Sequence, residues 1–142
     1  LHLSIRRQRQ MCIRDRFIID PNLKGIFQKE LDGDMNYKDI YKYLHTDVKR
    51  CSTFDTVRVR GTNDCIFVDD EGLLIPKNYM FTFDHLDSRN LFGNGLIIGS
   101  DLNGESISPQ MSLAWYRERI SFADDLVRTE DYLVPPTFKI FS

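Results

Sequence analysis

Hydrophobic and polar positions along the chain follow two different periods, and each period predicts an element. Phe17-Ile18-Ile19 is a short apolar run stopped by Asp20-Pro21-Asn22, a turn signal. Residues 25–31 resume as a second strand, so the pair predicts an opening hairpin, which Asp32-Gly33-Asp34 ends. Tyr37, Ile40, Tyr41 and Leu44 stand at i, i+3, i+4 and i+7, one apolar stripe of a helix over residues 36–45. Asn36 stands where an N-cap belongs, and Asp39 follows three residues later as in a short capping box. Over residues 53–60, Val57 and Val59 alternate with Arg58 and Arg60, the mark of a half-buried strand. The turn Gly61-Thr62-Asn63 then leads into an apolar strand over residues 64–68. A turn centred on Thr62 would set Val59 against Cys65 and Val57 against Phe67, with the apolar sides in agreement. In that register Cys51 does not face Cys65, which argues against a disulfide between them.

Residues 79–85 predict a further strand, with Tyr79, Phe81 and Phe83 on one side and Met80 and Thr82 on the other. Gly93-Asn94-Gly95 supplies the positive-φ positions of a tight turn, and Leu96-Ile97-Ile98-Gly99 reads as a central buried strand. Residues 101–105 read as another turn. Ser108-Pro109 suits an N-cap followed by a first-turn proline, so a helix is expected over residues 109–119 with Leu113, Tyr116 and Ile120 on one stripe. Ile120-Ser121-Phe122 then returns to the sheet. Residues 124–142, with Pro135-Pro136, predict no clear regular element. The links between strands are too short for crossovers, so the fold expected is α+β: a mostly antiparallel sheet with two helices.

Charge changes the picture at the beginning of the chain. Residues 1–16 carry five Arg and stop being basic abruptly at Phe17. A basic arm for nucleic acid or a targeting peptide would have this composition. Residues 1–2 and 6–16, however, resemble translated sequencing-adapter DNA, a laboratory sequence and not a protein family. Residues 1–16 are therefore expected to be adapter-derived and disordered, with one domain over residues 17–122 and a C-terminal extension over 123–142. The whole chain has 19 basic and 21 acidic side chains. Without the five Arg and one Asp of the first sixteen, 14 and 20 remain, a net charge of −6. That balance disfavours a nucleic-acid partner. No apolar run approaches the ~20 residues of a membrane-spanning helix, so no membrane partner is expected. Cys51 and Cys65 lack the spacing of a zinc or redox pair and read as reduced thiols of a cytosolic protein.

Five features occur in order: the strand ending Ile19-Asp20-Pro21, the helix Ile40-Tyr41-Lys42-Tyr43-Leu44, the block Asp64-Cys65-Ile66-Phe67-Val68-Asp69-Asp70-Glu71-Gly72-Leu73-Leu74, the block Gly93-Asn94-Gly95-Leu96-Ile97-Ile98-Gly99, and a helix ending at Ile120-Ser121-Phe122. In this order residues 17–122 resemble a small phage and prophage family of unknown function. The resemblance implies a phage-encoded accessory protein in the host-cell cytoplasm. It implies no activity and no catalytic residue.

The densest acidic cluster is Asp69-Asp70-Glu71, a candidate for divalent-cation binding or acid–base work. In an extended segment Asp70 would face away from Asp69 and Glu71, and no further converging ligand is identifiable. Arg58 and Arg60 project from one side of a strand and are candidates for holding an anion. His85 reads as a strand end and His45 as a helix end. Gly93-x-Gly95-x-x-x-Gly99 departs from the dinucleotide fingerprint in spacing and precedes a strand, so no cofactor is expected. The balance is against an enzyme. The leading expectation is a module that binds a host protein or a small host molecule, with a role in blunting host defence suggested by the phage context. The alternatives are a metal-dependent enzyme using Asp69, Asp70 or Glu71, and a structural module that associates with itself.

Overall fold

The opening hairpin is longer than its apolar runs suggest. In the computed structural model, which describes residues 13–32 and 37–132, β1 (Ile13–Asp20) pairs with β2 (Gly25–Asp32) along its whole length. Residues 13–16, expected to be disordered, therefore form half of a strand. Arg14 Nε donates to Ser106 O at 2.8 Å, the Asp15 amide donates to Ser108 Oγ at 2.8 Å, and Arg16 is fully buried. Backbone pairing needs no apolar alternation, which is why a basic stretch can extend the strand.

Helix α1 (Tyr37–Leu44) follows. Ile40 and Leu44 are buried and Tyr41 half-buried, while Tyr37 is exposed at the first turn. The expected cap Asn36 lies outside the described residues. β3 (Phe54–Arg58) and β4 (Asp64–Asp69) form a second hairpin. Its register differs by one residue from the expected one: Val57 lies opposite Ile66 and Arg58 opposite Cys65. β4 is apolar on both faces, so alternation alone did not choose which face turns inward. A short 3₁₀ turn (Gly72–Leu74), β5 (Lys77–Asn78), β6 (Met80–His85), β7 (Asp87–Phe92) and β8 (Gly95–Ser100) come next. The chain then runs through β9 (Ser106–Ile107), helix α2 (Leu113–Arg119), β10 (Ile120–Phe122) and β11 (Val127–Arg128) to a 3₁₀ turn (Thr129–Tyr132).

These elements make an α+β fold in which every strand pairing is antiparallel. The large sheet has the order β2-β1-β8-β4-β3, with β9 added to β8, and the smaller one has the order β10-β6-β7. β8, the strand expected to be central, sits between β1 and β4. Its residues alternate between two cores. Ile97 joins Phe17, Ile66, Val68, Phe81, Phe83 and Tyr116 between the two sheets, and Leu96 and Ile98 join Ile40 and Leu44 under α1. A large sheet covered on both faces needs apolar residues on both sides of its inner strands, as β4 and β8 have.

α2 starts four residues later than Ser108-Pro109 suggested. Ser112 is its N-cap and accepts the Trp115 amide, while the Gln110 and Met111 amides go to the buried Asp64 carboxylate at 2.7 and 3.1 Å. The segment after residue 122 is part of the fold as far as Tyr132. β11 pairs with β5, and the buried Thr129 bonds the Pro76 and Ile75 carbonyls. Cys51 and Cys65 are free thiols. No helix among the described residues is long and apolar enough to cross a membrane.

Candidate functional site

The acidic cluster is already engaged by neighbouring side chains. Asp69 closes β4 and is buried. Its Oδ2 takes the Lys49 ammonium at 3.0 Å, and its Oδ1 accepts the Glu71 amide at 2.9 Å. Glu71 Oε1 accepts the Ser52 and Thr53 hydroxyls at 3.0 and 3.2 Å. These bonds, more than the nearby Lys49 charge, hold its carboxyl below the usual carboxylate range. Asp70 is exposed. Among the described residues no group of three His, Cys, Asp or Glu side chains could hold a metal ion. The cluster secures the end of β4 to the segment before β3.

The two arginines are separated by the end of their strand. β3 stops at Arg58, and Arg60 reaches the tip of the β6–β7 hairpin, where it pairs with Asp87 at 3.0 Å. Both border a cavity of about 370 Å³ between β3 and that hairpin. Val57 and Phe83, both buried, form its apolar floor, and Arg89 of β7 enters from the other wall. Arg58 and Arg89 make no ion pair among the described residues. His85 lies at the edge of this cavity. Its Nε2 donates to Arg60 O at 2.8 Å, and its ring stands edge-on to Trp115, 5.0 Å between centroids. Arg119 stacks over the Trp115 ring at 3.9 Å, a cation–π contact.

Unpaired guanidinium groups above an apolar floor can hold an anionic group whose remaining part is apolar. The fork of N–H donors suits a carboxylate or phosphate. Arg58 also borders a second opening of about 340 Å³ on the α1 side of the sheet, next to Cys65 and Asp101. Burial raises the Cys65 thiol there, which disfavours the thiolate a nucleophile would need. His45, at the end of α1, accepts the Cys51 amide through Nδ1 at 2.6 Å and so serves the helix-to-strand link.

Arg89 was absent from the sequence-based candidates because Asp87-Ser88-Arg89-Asn90 has no apolar alternation to mark a strand. The signal available was the mirror pairing around Leu86: His85 opposite Asp87, Phe83 opposite Arg89, Phe81 opposite Leu91. No family model matches this chain, and neither the curated proteins nor the solved structures contain a match to it.

Proposed function

We propose that this chain is a phage-encoded accessory protein that binds a host protein or small host molecule, holding an anionic group of it in the cavity between β3 and the β6–β7 hairpin. The observation that carries this reading is the pair Arg58 and Arg89. Both line one cavity with Val57 and Phe83, and neither makes an ion pair among the described residues, whereas Asp87 of the same lining is taken by Arg60. The engagement of Asp69 by Lys49 and of Glu71 by Ser52 and Thr53 favours binding over metal-dependent chemistry at that cluster. The free thiols of Cys51 and Cys65 suit a reducing cytoplasm, and interference with a host defence is the role this reading carries.

The test is native mass spectrometry of the whole chain after incubation in bacterial lysate, beside the double variant R58E/R89E. A retained molecule that the variant releases is the expected result. A clean unliganded chain, or the same adduct on the variant, overturns the proposal.

A further inference from the structure

The strand edges of this fold are not treated alike. On β2, Arg117 Nη2 donates to Ile26 O at 3.1 Å. Along β3, the Val59 amide bonds Asp64 O and the Thr53 carbonyl accepts the Asp70 amide. Odd-numbered residues therefore pair with β4, and the backbone groups of Thr56 and Arg58 point outward. The outward Thr56 amide is taken by Asp55 Oδ1 at 2.8 Å, and beyond the strand Arg60 O is taken by His85. Open backbone groups at a strand edge invite unwanted pairing, and here side chains take them.

β7 lacks that device. The Gly93 amide bonds Tyr79 O, so by alternation Leu91, Arg89 and Asp87 pair with β6 while Ser88, Asn90 and Phe92 point their backbone groups away from it. At Phe92 the carbonyl lies against Gly72, where an added Cβ would sit 2.9 Å from it. Ser88 and Asn90 are exposed, and no described residue bonds their outward amides or carbonyls. Two adjacent rungs of the smaller sheet are open.

The space beside those rungs is roofed. The large sheet is five strands wide along β2-β1-β8-β4-β3, and the smaller sheet beneath it is three. β7 contacts β4, and residues of β3 border the same cavities as residues of β7. Both cavities along this line lie between the β3–β4 hairpin and the β6–β7 hairpin, and they share Arg89. One is the arginine cavity of about 370 Å³ at Val57 and Arg58, and the other, of about 200 Å³, lies at Asp55, Asp70 and Leu91. Arg58, Arg89 and the Arg60–Asp87 pair line one end of the groove, and Asp55, Asp69 and Asp70 line the other, with Val57, Val68 and Leu91 as apolar lining.

We propose that the β7 edge accepts an extended segment of a partner protein as an added strand beneath β3, with an acidic side chain of that segment seated between Arg58 and Arg89. Backbone pairing with Ser88 and Asn90 supplies affinity, and the polarity of the groove sets direction and register. The inference rests on the arginine cavity being a binding site and names the class of partner.

The experiment selects from a library of random nine-residue peptides on the whole chain, then measures amide exchange on the ¹⁵N-labelled chain with the enriched peptides. Enriched peptides should carry Asp or Glu at one fixed position, slow exchange at Ser88 and Asn90 at least tenfold, and bind R89E at least tenfold more weakly. Methylating alternate backbone nitrogens of the peptide should abolish binding. No enrichment, or enrichment without protection of Ser88 and Asn90, overturns the added strand. Inorganic phosphate serves as the control anion. Phosphate bound at Arg58 and Arg89 without any strand-forming peptide leaves the cavity reading standing and removes this one. Peptides that protect Ser88 and Asn90 but bind R58E/R89E unchanged keep the added strand and remove the arginine seat. Protection of both amides in the peptide-free chain at high concentration assigns the edge to a second copy and overturns the proposal.

Discussion

Tyr116 Oη donates to Asp64 Oδ2 at 2.5 Å, and both residues are buried, one at the start of β4 and the other on α2. The same carboxylate receives the Gln110 and Met111 amides. One aspartate thus ties the large sheet to the segment that leads into the helix. Tyr116→Phe removes one of three donors and should cost about 1–3 kcal/mol. Asp64→Ala leaves three donors without an acceptor and should cost about 3–5 kcal/mol. Urea unfolding of the two variants checks the order; equal, small losses would mean water replaces the carboxylate.

The same bond makes stability depend on alkali. Burial first, and then the Asp64 hydrogen bond, hold the Tyr116 hydroxyl well above the ordinary phenol range. Burial pushes the Cys51 thiol up to about 11. Both folded pKa values lie above the unfolded ones, about 8.5–9 for a thiol and about 10 for a phenol. Their contribution is therefore complete below those values and is lost as pH rises toward the folded ones. Unfolding free energy should fall above about pH 9, by at most about 1.4 kcal/mol per pH unit for each group. Cys51→Ala should flatten the first part of the fall and Tyr116→Phe the later part. A curve level from pH 8 to 11 refutes the linkage.

At Gly99 the Ser108 backbone passes close to β8. A Cβ there would stand 2.5 Å from Ser108 O and 3.2 Å from Asp64 Oδ1. A carbonyl held by its own chain yields less readily than a side-chain end. Gly99→Ala should therefore cost about 1–3 kcal/mol, visible as a lower Tm, and should loosen the bond between the Asp15 amide and Ser108 Oγ.

The Lys49–Asp69 pair is mostly buried, with 18% and 5% of the two side chains exposed. Lys49→Met leaves a carboxylate with less compensation and should cost about 2 kcal/mol, between the values for exposed and fully buried pairs. K49M/D69N should recover part of that loss. A double-mutant cycle with no coupling would show that the Glu71 amide alone satisfies Asp69.

Removing residues 1–16 should weaken the fold even though the strand's apolar core begins at Phe17. The deletion takes away the partners of Lys29–Asp32 in the β1–β2 ladder and the bonds from Arg14 and Asp15 to Ser106 and Ser108. The expected loss is about 2–4 kcal/mol, from a few backbone and side-chain hydrogen bonds. Amide exchange over residues 29–32 should become fast. Unchanged protection there would return the start of the domain to residue 17.

Much of the fold was legible because its burial is periodic. Ile40 and Leu44 at helical spacing, the alternation of Val57 and Val59, and the unbroken run Leu96-Ile97-Ile98 determined α1, β3 and the central β8, and the short links determined antiparallel pairing. Where a segment is apolar on both faces, as in β4, alternation was equally satisfied by the expected register, which is one residue away from the observed one. Tertiary packing selected the observed one by turning Ile66 and Val68 toward the smaller sheet and drawing Asp64 to Tyr116. Arg58 and Arg60 were legible as arginines on one strand, but their difference was not: Asp87 meets Arg60 only because β6 turns back at Leu86. β7 itself, and with it Arg89, has no apolar rhythm over Asp87–Asn90, since an edge strand is held by backbone bonds to one neighbour and its side chains are free to be polar. What the sequence determined is the set of surfaces that must leave water. Which polar groups then face one another across the resulting cavity was decided by how the two sheets stack, a relation between residues far apart in the chain that no local pattern encodes.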